Sequence, residues 1–164
     1  MTPNIEALKL RYRLYGLPQD WFGVTFDDIE LAPTEVQRLK GAFSILRKGS
    51  VCYIQGNAGP VANQYLEQGL MVRGVDASIY INDPFDKEEK KSLPDADVVF
   101  IYNCEETTTQ LTLTQKVLKK LVQNYSHNTM VVLCGDIIGR TFSKDYYNVQ
   151  NTCAIPKKKE AKWL

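Results

Sequence analysis

The chain has 164 residues, of which 44% are hydrophobic and 24% are charged. This length fits a single domain, and the composition excludes a disordered or collagen-like chain. The 20 Lys and Arg residues nearly balance the 19 Asp and Glu residues, leaving a net charge of +1, so binding of nucleic acid by bulk charge alone is also excluded.

The sequence gives no sign of export, membrane insertion or metal binding. The N-terminus lacks the apolar stretch of a secretory signal, and no apolar run is long enough to cross a bilayer. The four cysteines are scattered without a CxxC pair, and His127 is the only histidine. We therefore expect an intracellular, cytoplasmic protein with buried thiols, no metal site and no membrane contact.

The first part of the chain predicts two helices separated by an irregular segment. Residues 3–15 space their apolar side chains by three and four, with basic residues between them, as in an amphipathic helix. Thr34 and Gln37 have the spacing of a capping box, and an apolar stripe follows until Gly49. In the segment between the helices, we expect Trp21, among other aromatic residues, to anchor the chain to the core.

From residue 51 onward, short apolar runs alternate with helical patterns. Helices are predicted at 60–68 and from 112 onward. Strands are predicted at 51–55, 71–75, 98–102 and 130–134, with 79–81 either a further strand or an extension of the second. This order favours a three-layer α/β/α sandwich with a mostly parallel sheet. We expect an arm and lead-in at 1–33, the α/β domain at 34–150 and a basic tail at 151–164.

Ligands of parallel sheets bind beyond the carboxyl ends of the strands, which directs attention to the residues there. A P-loop ATPase needs a lysine and a Ser or Thr after its glycine loop, but Ala62 and Asn63 stand near those places. No acidic residue follows the strand at 98–102, where Asn103 stands instead. The sequence therefore predicts no ATP hydrolysis, although LPQDWFGVTFDDIEL resembles the lead-in of helicase-loader ATPases.

The stretch LRKGSVCYIQGNAGPVANQYLEQGLMVRGVDAS resembles the opening of class I S-adenosylmethionine-dependent methyltransferases. In that family, a glycine-rich turn after the first strand holds the methionine moiety, and an acid after the second strand holds the ribose. The resemblance implies a methyltransferase-like fold in which Gly56, Gly59 and Asp76 bind S-adenosylmethionine. It also places Asn103 and Glu105 at the catalytic edge.

The chain departs from the methyltransferase pattern at several positions. Ile54 or Gln55 replaces the acid that begins the glycine motif, and too few residues follow Asp76 for a complete third strand. We therefore expect S-adenosylmethionine binding to be weak or absent, and interpret the chain as a binding or scaffold subunit. Two alternatives stay open: an active methyltransferase, and a degenerate P-loop protein that resembles helicase loaders.

The C-terminal tail predicts a contact with a partner. It carries an aromatic residue among basic ones: Lys157, Lys158, Lys159, Lys162 and Trp163. Basic side chains neutralise phosphates and an aromatic ring stacks on a base, so RNA or DNA is one expected partner. The other is a protein subunit that docks through the same tail.

Overall fold

A computed structural model describes residues 5–29, 31–82, 96–104, 111–126, 129–135, 147, 149 and 151–155. Five helices are described: α1 (Ile5–Leu14), α2 (Pro33–Ala42), α3 (Gly59–Glu67), α4 (Ala77–Asn82) and α5 (Leu111–Tyr125). Five strands are described: β1 (Val51–Gly56), β2 (Val72–Asp76), β3 (Val98–Tyr102), β4 (Met130–Gly135) and β5 (Asn151–Ile155). Residues 15–29, called the lead-in below, contain two 3₁₀ helices, Gln19–Trp21 and Phe26–Asp28.

The strands form one parallel sheet in the order β2-β3-β4-β1-β5. Side chains alternate between the two faces along each strand, because strands have a period of two residues. Ile54 and Phe100 face the layer formed by α1, α2, α3 and the lead-in, whereas Tyr53 and Ile101 face α4 and α5. The predicted α/β fold with helices on both faces is thus confirmed.

The central strands are buried on both faces, as their continuous apolar runs predict. Every residue of β4 is buried, and so are the first four residues of β1 and of β3. Three of the four cysteines are buried as expected: Cys52 and Cys134 in these strands, and Cys104 just after β3. The side chain of Cys153 lies outside the described residues.

Several local predictions need correction. The capping box expected at Thr34 is wrong, because α2 begins at Pro33 with Ala32 as its N-cap and no side-chain cap. Proline fits this position, since its missing N–H would have no partner in the first turn. The capping box forms earlier, at Thr25 and Asp28 in the lead-in. The segment that includes 79–81 is the helix α4, not a strand.

Candidate functional site

The turn between β1 and α3 is shaped by its neighbour β5. Gly56 has a φ of +100°, a backbone angle that residues with a side chain rarely adopt. A Cβ atom at this position would also collide with the Ile155 carbonyl oxygen. The Asn57 backbone N–H donates to the same oxygen at 3.1 Å. The glycine that suggests a cofactor loop is therefore required by the close approach of β5, with or without a ligand.

The amides of this turn are partly occupied by the chain itself. The Gly59 N–H donates to Asn57 Oδ1 at 2.9 Å, and Pro60 has no N–H to donate. A Cβ atom on Gly59 would lie 3.2 Å from the Cβ of Trp21. A phosphate-binding loop works by pointing free backbone N–H groups at the phosphates, so this turn has lost two of those donors.

Asn63 fastens the lead-in to α3. Its Nδ2 donates to the backbone carbonyls of Trp21 at 2.8 Å and of Val24 at 2.7 Å. Its Oδ1 accepts from the Tyr12 hydroxyl at 3.2 Å. We call these three contacts the Asn63 clamp. Ala62, the residue before it, is buried completely and offers no charge.

Trp21 covers the turn from the side of the lead-in. Its ring is buried and meets the rings of Phe100 and Tyr102 edge-on, with centroids 5.8 Å apart in both cases. The Tyr102 hydroxyl donates to the Gly16 carbonyl at 2.9 Å, so the lead-in is also held over the end of β3. Burial, reinforced by Asp76 and Asp20, raises the pKa of Tyr102. The tyrosine therefore stays a neutral donor.

Asp76 and Asn103 lie together at the ends of the neighbouring strands β2 and β3. Asp76 Oδ1 accepts from the Ser78 N–H at 2.9 Å, from the Ser78 hydroxyl at 2.6 Å and from Asn103 Nδ2 at 3.0 Å. Asn103 is exposed and has a φ of +59°. The carboxylate thus organises the turn into α4, which is an ordinary structural task for an aspartate.

The structure does not bring the predicted cofactor residues together. β4 and β3 lie between β1 and β2, so Gly56 and Asp76 are three strand spacings apart, about 14 Å across the sheet. Rossmann-type sheets instead place the first two strands side by side. Glu105 and the tail residues Lys157, Lys158, Lys159, Lys162 and Trp163 lie outside the described residues.

A metal centre and a membrane-spanning helix are both absent from the described part of the chain. There, no group of three or more His, Cys, Asp or Glu side chains is arranged to hold a metal ion. Among the same residues, no helix is long and apolar enough to cross a membrane.

No protein-family model and no curated protein matches this chain. Solved structures do match. DnaI matches with a TM-score of 0.57 and 8% identity, over 85% of this chain and 94% of that chain. The DnaC helicase loader matches with a TM-score of 0.54 and 8% identity, over 84% of this chain and 99% of that chain.

A replication initiator is also similar. DnaA bound to AMPPCP and single-stranded DNA matches with a TM-score of 0.54 and 12% identity, over 80% of this chain. The present chain spans about half of that one, 49%. These neighbours are P-loop domains of replication initiators and helicase loaders. At such low identity, the likeness establishes the fold and nothing more.

The resemblance to methyltransferases is therefore wrong, and so is the assignment of S-adenosylmethionine as cofactor. The strand order and the neighbouring structures both overturn it. The spacing of Gly56 and Asp76 misled because many parallel α/β folds place a glycine turn after the first strand and a turn residue after the second. The alternative of a degenerate P-loop protein agrees with the structural matches.

The nucleotide and Mg²⁺ that this fold implies do not fit the residues present. The lysine that would contact the phosphates is replaced by buried Ala62, and the hydroxyl that would hold Mg²⁺ by the amide of Asn63. That amide is already engaged by two carbonyls. At the end of β3, where a metal-binding acid is needed, the strand finishes at Tyr102 and Asn103 follows it. The chain has the fold of these replication initiators and helicase loaders, and its turn between β1 and α3 is packed against its own lead-in.

Proposed function

We propose that this protein is a helicase-loader-like docking protein that works without ATP. The observation that carries the proposal is the Asn63 clamp together with Trp21, because these contacts hold α3 and the turn before it against the lead-in without a ligand. The fold supports it, since the matched DnaC chain is a helicase loader and nearly its whole length is covered, 99%.

In a nucleotide-dependent protein, ligand contacts that differ between two states shift the population from one state to the other. Here the lead-in is fixed to α3 by hydrogen bonds of 2.7 and 2.8 Å to Asn63 that need no ligand. The surface formed by the lead-in and α3 is therefore held in one arrangement, and it is this surface that we propose for docking. We propose that the partner is a replicative helicase, which this protein binds equally well with and without ATP.

Isothermal titration against the replicative helicase of the same source tests the proposal, with and without Mg·ATP. We expect one affinity under both conditions, and no ATP turnover above that of a boiled sample. The helicase is used as a variant that cannot hydrolyse ATP, so that any ATP turnover comes from this chain. Loss of binding without ATP, or turnover abolished by changing Asn63 or Asn103, would contradict the proposal.

Nucleic acid is a second proposed partner, because the matched DnaA structure contains single-stranded DNA. On α1, Lys9, Arg11 and Arg13 are exposed, and the basic tail would add to their charge. We propose weak, sequence-tolerant binding that weakens steeply between about 50 and 200 mM salt, as counterion release requires.

Fluorescence anisotropy with labelled single-stranded and duplex DNA and RNA measures this binding. Removal of residues 157–164 should largely abolish it. Trp163→Ala should weaken it with little change in the salt slope, because stacking releases no counterions. If the full chain does not bind at the lowest salt concentration, the basic residues serve a protein partner or solubility instead.

A further inference from the structure

A groove of about 610 Å³ runs between α1 and the segment from the end of α3 to β2. Its apolar lining includes Leu8 from α1, Phe22 from the lead-in, and Leu66 and Leu70 from the far side. All four are half-buried, so they line an opening and are not part of the closed core. Met71, which also lines the groove, is 42% exposed.

Two arginines also line the groove. The guanidinium of Arg73 lies 4.4 Å from the centroid of the Tyr15 ring, and its Nη1 donates to the Val72 carbonyl at 2.8 Å. Arg11 is exposed on α1. Glu67 lines the same groove, yet within the described ranges neither arginine is in an ion pair with a carboxylate. The groove therefore offers two cationic groups beside an apolar floor.

The aromatic rings of the groove are poorly placed to stack on nucleic-acid bases. The ammonium group of Lys9 lies 5.9 Å from the centroid of the Phe22 ring, and Arg73 covers Tyr15. Tyr12 is buried, meets Phe22 edge-on with centroids 5.5 Å apart, and holds Asn63 through its hydroxyl. Single-stranded nucleic acid binds by stacking on open ring faces, so this groove favours a protein ligand.

We propose that the groove binds an acidic segment of a partner protein. A large apolar side chain of that segment would enter between Leu8 and Leu66, and a flanking carboxylate would meet Arg11 and Arg73. Guanidinium groups favour carboxylates because the planar donors match the two oxygens. This inference does not require the partner to be a helicase; it requires only that the partner present this chemistry.

A random-peptide phage library panned against the immobilised full chain tests the proposal. The Arg11→Glu protein in solution serves as competitor, so that peptides needing no arginine are removed. We expect a consensus of one large apolar residue flanked by Asp or Glu. In fluorescence anisotropy, Arg11→Glu should weaken the labelled consensus peptide about fivefold, as expected for a reversed charge at an exposed ion pair.

Matched variants separate the groove from general charge. Arg13→Glu reverses an exposed charge on the same helix outside the groove lining, so it should change affinity by less than about twofold. Met71→Glu places a negative charge at the groove, which repels an acidic peptide, and should also weaken binding of the peptide. Equal melting temperatures of the variants show that folding is intact.

Labelled oligothymidine is measured in parallel. If no acidic consensus emerges, if Arg11→Glu and Arg13→Glu act alike on the peptide, or if Arg11→Glu weakens only oligothymidine, the proposal is overturned. Peptide binding without helicase binding would keep the groove and remove the proposed function. If no acidic consensus emerges and Arg11→Glu leaves helicase binding unchanged, the groove proposal is removed and the proposed function is kept.

Discussion

Replacing Asn63 by alanine should destabilise the protein by detaching the lead-in from α3. The substitution removes three hydrogen bonds, of 2.7, 2.8 and 3.2 Å, to Val24, Trp21 and Tyr12. Each intramolecular hydrogen bond contributes about 1 kcal/mol net, and a partner left buried without one costs more. Because the side chain is half-buried, water can reach some of the groups that lose their partner. We expect a loss of about 2 to 3 kcal/mol in the free energy of unfolding.

Urea unfolding followed by circular dichroism measures this loss. Gln68→Ala is the matched control, since it removes an exposed amide next to the end of the same helix. That control should stay within about 0.5 kcal/mol of the wild type, as surface substitutions do. Hydrogen exchange should in addition show faster exchange of the lead-in amides in Asn63→Ala.

An Asn63→Ala protein as stable as Gln68→Ala would refute the reasoning. It would mean that the lead-in is held by the apolar contacts of Trp21 alone, and that the amide of Asn63 is free for other work. Asn63 would then not be the residue that holds the lead-in against α3.

Three further predictions concern glycine geometry and pH. Gly56→Ala should destabilise by more than about 3 kcal/mol or prevent folding, because a Cβ atom would collide with the Ile155 carbonyl in a backbone that already has a φ of +100°. Gly16→Ala should also destabilise, since its Cβ would lie 2.5 Å from the Gly74 carbonyl oxygen. Gly41→Ala, with open space around it in α2, should instead stabilise by up to about 1 kcal/mol. Thermal unfolding compares these three alanine variants, and equal melting temperatures would contradict the clashes at Gly56 and Gly16. Burial raises the pKa of the Cys52 thiol from 9.0 to about 11, against an opposing effect of Arg47. As the pH rises, the unfolded chain therefore releases this proton before the folded chain does. The stability that comes from the neutral thiol is complete below pH 9 and is lost as the pH rises to about 11. Urea titrations should show that Cys52→Ala loses less unfolding free energy than the wild type over that interval, and equal losses would refute the assignment.

The sequence carried enough local information to predict most of the regular elements. The apolar runs of β1, β3 and β4 are visible because strands buried on both faces have no polar positions. α3 is bounded by a proline at its start and a glycine after its end, and the structure has it at Gly59–Glu67. The strand β5 was not predicted, because NTCAI has no continuous apolar run to mark it.

The strand order could not be predicted from these patterns, and it is the strand order that contradicts the resemblance to methyltransferases. Parallel apolar strands pair through backbone groups that all residues share, so the sequence of a strand does not determine which strand lies next to it. A glycine turn and an aspartate twenty residues apart in the chain therefore suit a sheet that joins their strands and one that separates them. Here β3 and β4 separate them.

The site itself depended on contacts between distant parts of the chain. Asn63 reaches the carbonyls of Trp21 and Val24 across 42 and 39 residues. In the sequence, the asparagine showed only that a P-loop hydroxyl was missing, and the tryptophan only that the lead-in had an apolar anchor. That the two meet beside the turn between β1 and α3 was decided by the tertiary structure, because backbone carbonyls of a loop become partners only after the loop has been folded against the helix.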